Sequence, residues 1–179
     1  MVRHPVERLI SEYYFAQSKA EDFDNSSRNL DFEGCFRNGN CVRNQQLYQL
    51  TYFCGSADSC QLAGNFEALQ RAKYNVEAYY SVVGLAYDLK KTLRVLEAYL
   101  PLFFHGALEH FDEDLRLNVN SHPDITEKTM NDLLSLPMIQ GEMDFYHFAV
   151  QRFELQHNFV SGYWKSNTLH SYFTQILVL

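Results

Sequence analysis

The chain lacks any apolar run of the roughly 18 residues that a membrane-crossing helix needs. Its first residues, Met-Val-Arg-His-Pro, carry no signal-peptide pattern. If the protein works in a secretory compartment, its targeting segment and membrane anchor are expected outside these 179 residues. Basic charge is also scarce: 15 Lys and Arg face 22 Asp and Glu, for a net charge of −7. Neutralising a nucleic acid requires a basic face, so nucleic acid is excluded as the main partner. A local basic pocket can persist inside an acidic protein, so small anionic ligands stay open. No glycine-rich or Lys-Ser/Thr phosphate loop occurs. There is one tryptophan, and no repeat or low-complexity tract.

Large rings are plentiful instead, with 14 Phe and 12 Tyr in a chain that is 46% apolar. That content excludes a disordered tail and fits a core built on aromatics, whose Tyr hydroxyls must find partners or reach water. The length suits one domain with a real core. Cys35, Cys41, Cys54 and Cys60 fall in a C-x5-C-x12-C-x5-C pattern. Structural zinc pairs usually sit two to four residues apart, so the spacing is loose for a metal site. Two small disulfide loops fit better, with free buried thiols and a metal as the alternatives. Disulfides point to an oxidising compartment such as the secretory lumen, and the sequon Asn25-Ser26-Ser27 agrees with that.

Hydrophobic spacing outlines the elements. Pro5 starts a helix marked by Val6, Leu9, Ile10, Tyr13 and Tyr14, which puts Arg3 and His4 at a strand-to-helix turn. Residues 17–29 are polar and read as a loop, while 46–53 is a short helix or strand. Phe66 to Tyr79 reads as an amphipathic helix, Ser81 to Leu85 as a buried strand, and Leu89 to Leu100 as a helix ended near Pro101. Residues 112–125 form a loop. Thr126 caps a helix to about Leu136, and after Pro137 the longest helical pattern runs from Met138 to His157. Helices dominate.

Several stretches resemble one family. Val2-Arg3-His4-Pro5-Val6-Glu7-Arg8, with Ser11 behind it, is similar to the V-R-[DHN]-P-[IV]-x-R form of the 3′-phosphate motif in heparan sulfate and uronyl 2-O-sulfotransferases. An Arg supplies a planar fork of donors for a phosphate, and a Ser one helical face along adds a hydroxyl. The run Leu50 to Gly55 with Cys60, the segment Ala68 to Val76, the strand Val82-Val83-Gly84-Leu85, and Leu96 to Ala107 resemble four further blocks of that family, in order. His4, where heparan enzymes carry Asp, is closer to the pipe-like branch.

The resemblance implies an α/β sulfotransferase (P-loop NTPase-like) fold, of which residues 1–179 form one partial domain, truncated at its amino terminus and mostly helical. Its parts are the phosphate motif at 2–15, a disulfide region at 30–64, a helical remainder at 65–160 and a tail at 161–179. It implies a Golgi-lumenal type II membrane enzyme using 3′-phosphoadenosine-5′-phosphosulfate and no metal. The acceptor would be the 2-hydroxyl of a uronic acid in a glycosaminoglycan or glycoprotein glycan. Arg3 and Ser11 match donor 3′-phosphate contacts, Phe111 an aromatic near the nucleotide, and Asn118 lies near a contacting Thr. The pairs Cys35–Cys41 and Cys54–Cys60 match two local disulfides.

In that family the phosphosulfate loop and the catalytic His both precede the Arg-x-Pro motif. No catalytic base is therefore assigned here, the chain alone is expected to be inactive, and a strand edge is expected to stand open. Where heparan-type members have an Arg/Lys-rich loop, Ala16 to Asp31 carries Lys19 and Arg28 against Glu21, Asp22, Asp24 and Asp31. A non-catalytic lumenal binding or assembly protein is the second reading, an all-helical cytosolic protein with free thiols the third, and homo-oligomerisation stays open.

Overall fold

The computed structural model describes residues 1–19, 30–39, 49–62, 64–112 and 123–165. Eight α-helices occur among them: α1 (Pro5–Lys19), α2 (Phe32–Arg37), α3 (Gln49–Cys54), α4 (Phe66–Tyr79), α5 (Leu89–Tyr99), α6 (Pro101–Phe104), α7 (Glu127–Leu134) and α8 (Pro137–Lys165). A 3-10 turn, Asp58–Gln61, lies between α3 and α4.

Local chemistry explains the ends. Asp31, Asn65, Asp88 and Thr126 each accept a backbone N–H of the helix that follows, satisfying donors no intrahelical carbonyl can reach. Pro5 opens α1 and Pro101 opens α6, where a missing N–H costs nothing. Pro137 likewise begins α8, which runs to Lys165, well past the expected end at His157. α1 also runs beyond the expected boundary, to Lys19, and the ambiguous 46–53 stretch contributes helix from Gln49.

Two apolar clusters share α8. The larger gathers Val2, Leu50, Phe53, Cys54, Cys60, Ala68, Leu69, Ala72, Val76, Val83, Leu85, Val95, Phe145, Ala149 and Phe153. The smaller holds Val6, Leu9, Ile10, Phe32, Leu133 and Ile139. Ile139, Glu142, Phe145, Ala149 and Phe153 follow one another at steps of three or four residues along one buried stripe of α8, and Val160 continues it two turns further on. Burying each large side chain stabilises by about 1.5–3 kcal/mol, which makes this stripe the main organiser. Between α2 and α7, Glu33 accepts the Thr126 N–H at 2.6 Å and its hydroxyl, which holds the Glu33 carboxyl down at about 2.

The expected sheet is represented by a single rung. Among the described residues the only β pairing is an isolated parallel bridge between Val2 and Leu85. Val2 N–H donates to the Gly84 carbonyl at 2.8 Å, and Ala86 N–H donates to the Val2 carbonyl at 2.9 Å. Both partners are fully buried. The Ser81–Leu85 strand reading thus survives as one bridge rather than a ladder, because only Val2 lies alongside it.

Cys54 and Cys60 form a disulfide with Cα atoms 5.6 Å apart, and Cys35 is also disulfide-bonded. Cys41, Asn25 and Asn118 lie outside the described residues. No described helix is long and apolar enough to cross a membrane, and no group of metal-ligating side chains occurs among the described residues.

Candidate functional site

The Val2–Leu85 bridge fixes the chain just before α1, and its geometry dictates what happens at Arg3. In an extended segment consecutive residues direct their N–H and C=O groups to opposite sides. Val2 turns its pair toward Gly84 and Ala86, so Arg3 must turn its own pair away. A buried side chain meets it there. Arg3 N–H donates to Gln49 Oε1 at 2.7 Å, and Gln49 Nε2 donates to the Arg3 carbonyl at 2.7 Å. The Gln49 amide does for Arg3 what a neighbouring strand would do.

Gln49 is the first residue of α3, and it is itself held. The Glu142 carboxylate, on the buried stripe of α8, accepts the Gln49 N–H at 3.1 Å and the Leu50 N–H at 2.9 Å. Burial pushes the Glu142 carboxyl up to about 7, while the two backbone donors and the nearby Arg8 guanidinium pull the other way.

The opposite side of the bridge is closed in the same manner. Leu85 directs its N–H and C=O away from Val2, and both meet the Thr92 hydroxyl of α5. The Leu85 N–H donates to Thr92 Oγ1 at 2.9 Å, and that hydroxyl donates to the Leu85 carbonyl at 3.0 Å. Thr92 lies so near Gly84 that a Cβ there would collide with Thr92 Cγ2. The strand edge expected to stand open is therefore closed at Arg3 and at Leu85, by side chains rather than by strands.

Arg3 then projects its side chain, 39% exposed, beside the first turn of α1, with Nε 3.5 Å from Glu7 Oε2. An exposed pair of this kind contributes little and can be displaced. Arg8 N–H donates to the His4 carbonyl, so His4 immediately precedes α1 and accepts one of its first backbone bonds. The His4 ring packs edge-on against Tyr146 at 5.6 Å, and its Nδ1 is buried without a partner among the described residues. Burial is the main influence lowering its pKa; Glu7 opposes it and His147 adds to it. Ser11, half-buried, follows His4, Glu7 and Arg8 at helical spacing, on the same side of α1 and about 9 Å along the axis from Pro5. Phe111 is half-buried at the end of the turn after α6, its N–H donating to the Leu108 carbonyl at 3.4 Å.

Ser11 thus lies midway along α1 and Arg3 just before its start, whereas Phe111 stands on a separate turn. Sequence reading missed Gln49, Glu142 and Thr92. Glu142 did leave a signal, since it is a carboxylate in register with Ile139, Phe145 and Ala149 on an otherwise apolar stripe.

The other blocks quoted above act in the scaffold. Asn75 Nδ2 donates to the Phe53 and Cys54 carbonyls at 2.9 and 3.0 Å, covering the end of α3. Lys73 lies over the Phe148 ring, 5.6 Å from its centre. Glu97 accepts the Leu108 N–H at 3.0 Å and ties the turn after α6 to α5.

No family model matches the chain. Individual proteins do. The chain is 34% identical to heparan sulfate 2-O-sulfotransferase hst-2 of Caenorhabditis elegans over 171 residues, covering 86% of this chain and 51% of that protein. Heparan sulfate 2-O-sulfotransferase 1 of Gallus gallus is 30% identical over 165 residues, with 86% and 46% covered. The heparin sulfate O-sulfotransferase of Drosophila melanogaster is 31% identical over 165 residues, with 86% and 47% covered. The chain spans about half the length of the curated relatives it matches. On this identity over 86% of its length, the chain belongs to the heparan sulfate 2-O-sulfotransferase family.

Proposed function

We propose that this chain provides the donor 3′-phosphate side of a sulfotransferase that transfers sulfate from 3′-phosphoadenosine-5′-phosphosulfate to the 2-hydroxyl of a uronic acid. The acceptor belongs to a glycosaminoglycan or glycoprotein glycan, with heparan sulfate suggested by the names of the relatives. The sulfotransferase α/β fold, of which these residues are one partial domain, and residence in the Golgi lumen belong to the same reading.

The observation that carries it is the Arg3 guanidinium, exposed at the start of α1 while its own peptide is locked by Gln49. A dianionic phosphate suits that place. Arg3 offers charge and two parallel donors, and the start of a 15-residue helix adds a favourable field. Ser11 supplies a hydroxyl donor further along the same side. Glu7 must release or share the guanidinium. His4 serves as a neutral wedge against Tyr146. Phe111 is assigned as an aromatic near the nucleotide, and Asn118 to the neighbourhood of a nucleotide contact.

The donor supplies an activated sulfuryl group, and its in-line transfer requires alignment and a base for the acceptor hydroxyl. We assign neither role to a side chain among the described residues. The 179-residue chain is therefore expected to bind adenosine 3′,5′-bisphosphate without turning over donor. Calorimetric titration tests the first half: failure to bind, or Arg3→Ala binding equally well, sinks the phosphate assignment. Labelled-sulfate transfer tests the second, and clear turnover by this chain overturns it. Binding without turnover, even when the chain is joined to the rest of a full-length relative, would favour a non-catalytic lumenal protein.

A further inference from the structure

We propose that Gln49 is a positioning residue for Arg3: its buried amide, anchored through Glu142, holds the Arg3 peptide in the one orientation that aims the guanidinium at a donor 3′-phosphate. This inference rests on the phosphate reading of Arg3 and assigns a cause to its geometry.

The chemistry favours Gln over any similar side chain. The Arg3 peptide presents one donor and one acceptor on the same side, and a primary amide is the side chain that answers both at once. A carboxylate would accept the N–H but repel the carbonyl, and a thioether or hydrocarbon would leave both groups buried and unpaired. Gln49 is 5% exposed, so water cannot take over its bonds. A long amide would ordinarily sample several rotamers. Here its backbone is fixed at the start of α3 by the Glu142 carboxylate, itself 3% exposed and facing Arg8 of α1.

The result is a connection across 46 and 93 residues of sequence, from α8 through α3 to the segment before α1. Nothing in it touches the phosphate. Its effect is to remove freedom from Arg3 before the ligand arrives, and preorganisation of that kind raises affinity by lowering the ordering cost.

The test compares adenosine 3′,5′-bisphosphate with adenosine 5′-monophosphate by calorimetry on the 179-residue chain. The ratio of the two affinities isolates the 3′-phosphate contribution, which a general loss of folded protein leaves unchanged. Arg3→Ala should bring the ratio close to one. Gln49→Met should lower it roughly tenfold, the scale expected when a charged contact is misplaced. The double variant should lose no more than Arg3→Ala alone, because both act on one contact. If Gln49→Met fails to melt cooperatively, Glu142→Gln, which keeps size and shape, provides the same comparison with a smaller loss.

Outcomes separate cleanly. An intact ratio in Gln49→Met and Glu142→Gln, with the ratio lost in Arg3→Ala, overturns the positioning role and leaves the phosphate site standing. Equal weakening of both nucleotides makes Gln49 merely structural and also overturns it. A ratio unchanged in Arg3→Ala, or no binding by the unaltered chain, removes the phosphate reading itself and this inference with it.

Discussion

Replacing Thr92 by Val changes one hydroxyl to a methyl, yet it should be among the costlier conservative substitutions in this chain. Thr92 is 1% exposed and its hydroxyl both accepts from Leu85 N–H and donates to the Leu85 carbonyl. Leu85 is fully buried, and its only β partner among the described residues, Val2, donates to the Gly84 carbonyl and accepts from the Ala86 N–H. Val therefore strands one buried donor and one buried acceptor with no water in reach. At about 1–3 kcal/mol for each unsatisfied group, offset in part by the added methyl, the loss should be about 2–4 kcal/mol. For a chain of this size that lowers the melting midpoint by roughly 5–12 °C. Circular dichroism melts and urea titrations check it, with Thr92→Ser as the control that keeps the hydroxyl. A loss below about 0.5 kcal/mol, or Ser as damaging as Val, would refute the view that the hydroxyl closes this edge.

Gly84→Ala tests the other side of the same joint. The new Cβ meets Thr92 Cγ2, so it should destabilise by about 1–3 kcal/mol, and by less when Thr92 is already Ala; additive losses in the double variant would refute the clash. Glu142 predicts a pH dependence. Its carboxyl sits at about 7 in the folded chain against 4.5 for the free group, so the folded state binds more protons. That contribution is fully present below pH 4.5 and is lost as pH rises through about 7. At about 1.4 kcal/mol per unit the change is roughly 3 kcal/mol. Urea titrations between those limits should show the decline in the unaltered chain and a flatter profile in Glu142→Gln; identical profiles would exclude Glu142 as the titrating group. Removing the Cys54–Cys60 link with Cys54→Ala and Cys60→Ala frees a short loop of sequence separation 6 and should cost about 2 kcal/mol. A chain that melts unchanged in reductant would contradict this.

How much of this could be read in advance differs by the physics involved. Helices α1, α4, α5, α7 and α8 were legible because their apolar positions repeat every three or four residues, and Pro5, Thr126 and Pro137 mark where three of them start. The far end of α8 was not, since beyond His157 polar and apolar residues mix without a clear period while nothing forbids another helical turn. Arg3 and Ser11 could be singled out in advance only through the family motif, since Arg3 precedes α1 and Ser11 lies within it. Gln49 and Thr92 could not, because their partners are backbone groups of other segments, 46 and 7 residues away, and their identity is set by what those peptides lack. Glu142 stands between these cases. Its place on a buried stripe could be seen, whereas the two N–H groups that justify it could not.

The same distinction bears on what the family likeness reports. Asn75 covers carbonyls, Glu97 accepts an N–H, Gly84 makes room for Thr92, and Lys73 lies over a ring. None of these needs a donor nucleotide to explain it. They are answers to backbone groups that a nearly strandless set of residues would otherwise leave unpaired, and an unpaired buried group costs more than most single contacts gain. Such joints tolerate few residue types, so a scaffold of this kind stays recognisable in sequence even where its chemistry would differ. Kinship read from the joints and function read from Arg3 are therefore separate inferences. They meet at Gln49, where a scaffold joint takes hold of the backbone of the residue that the proposed reaction needs.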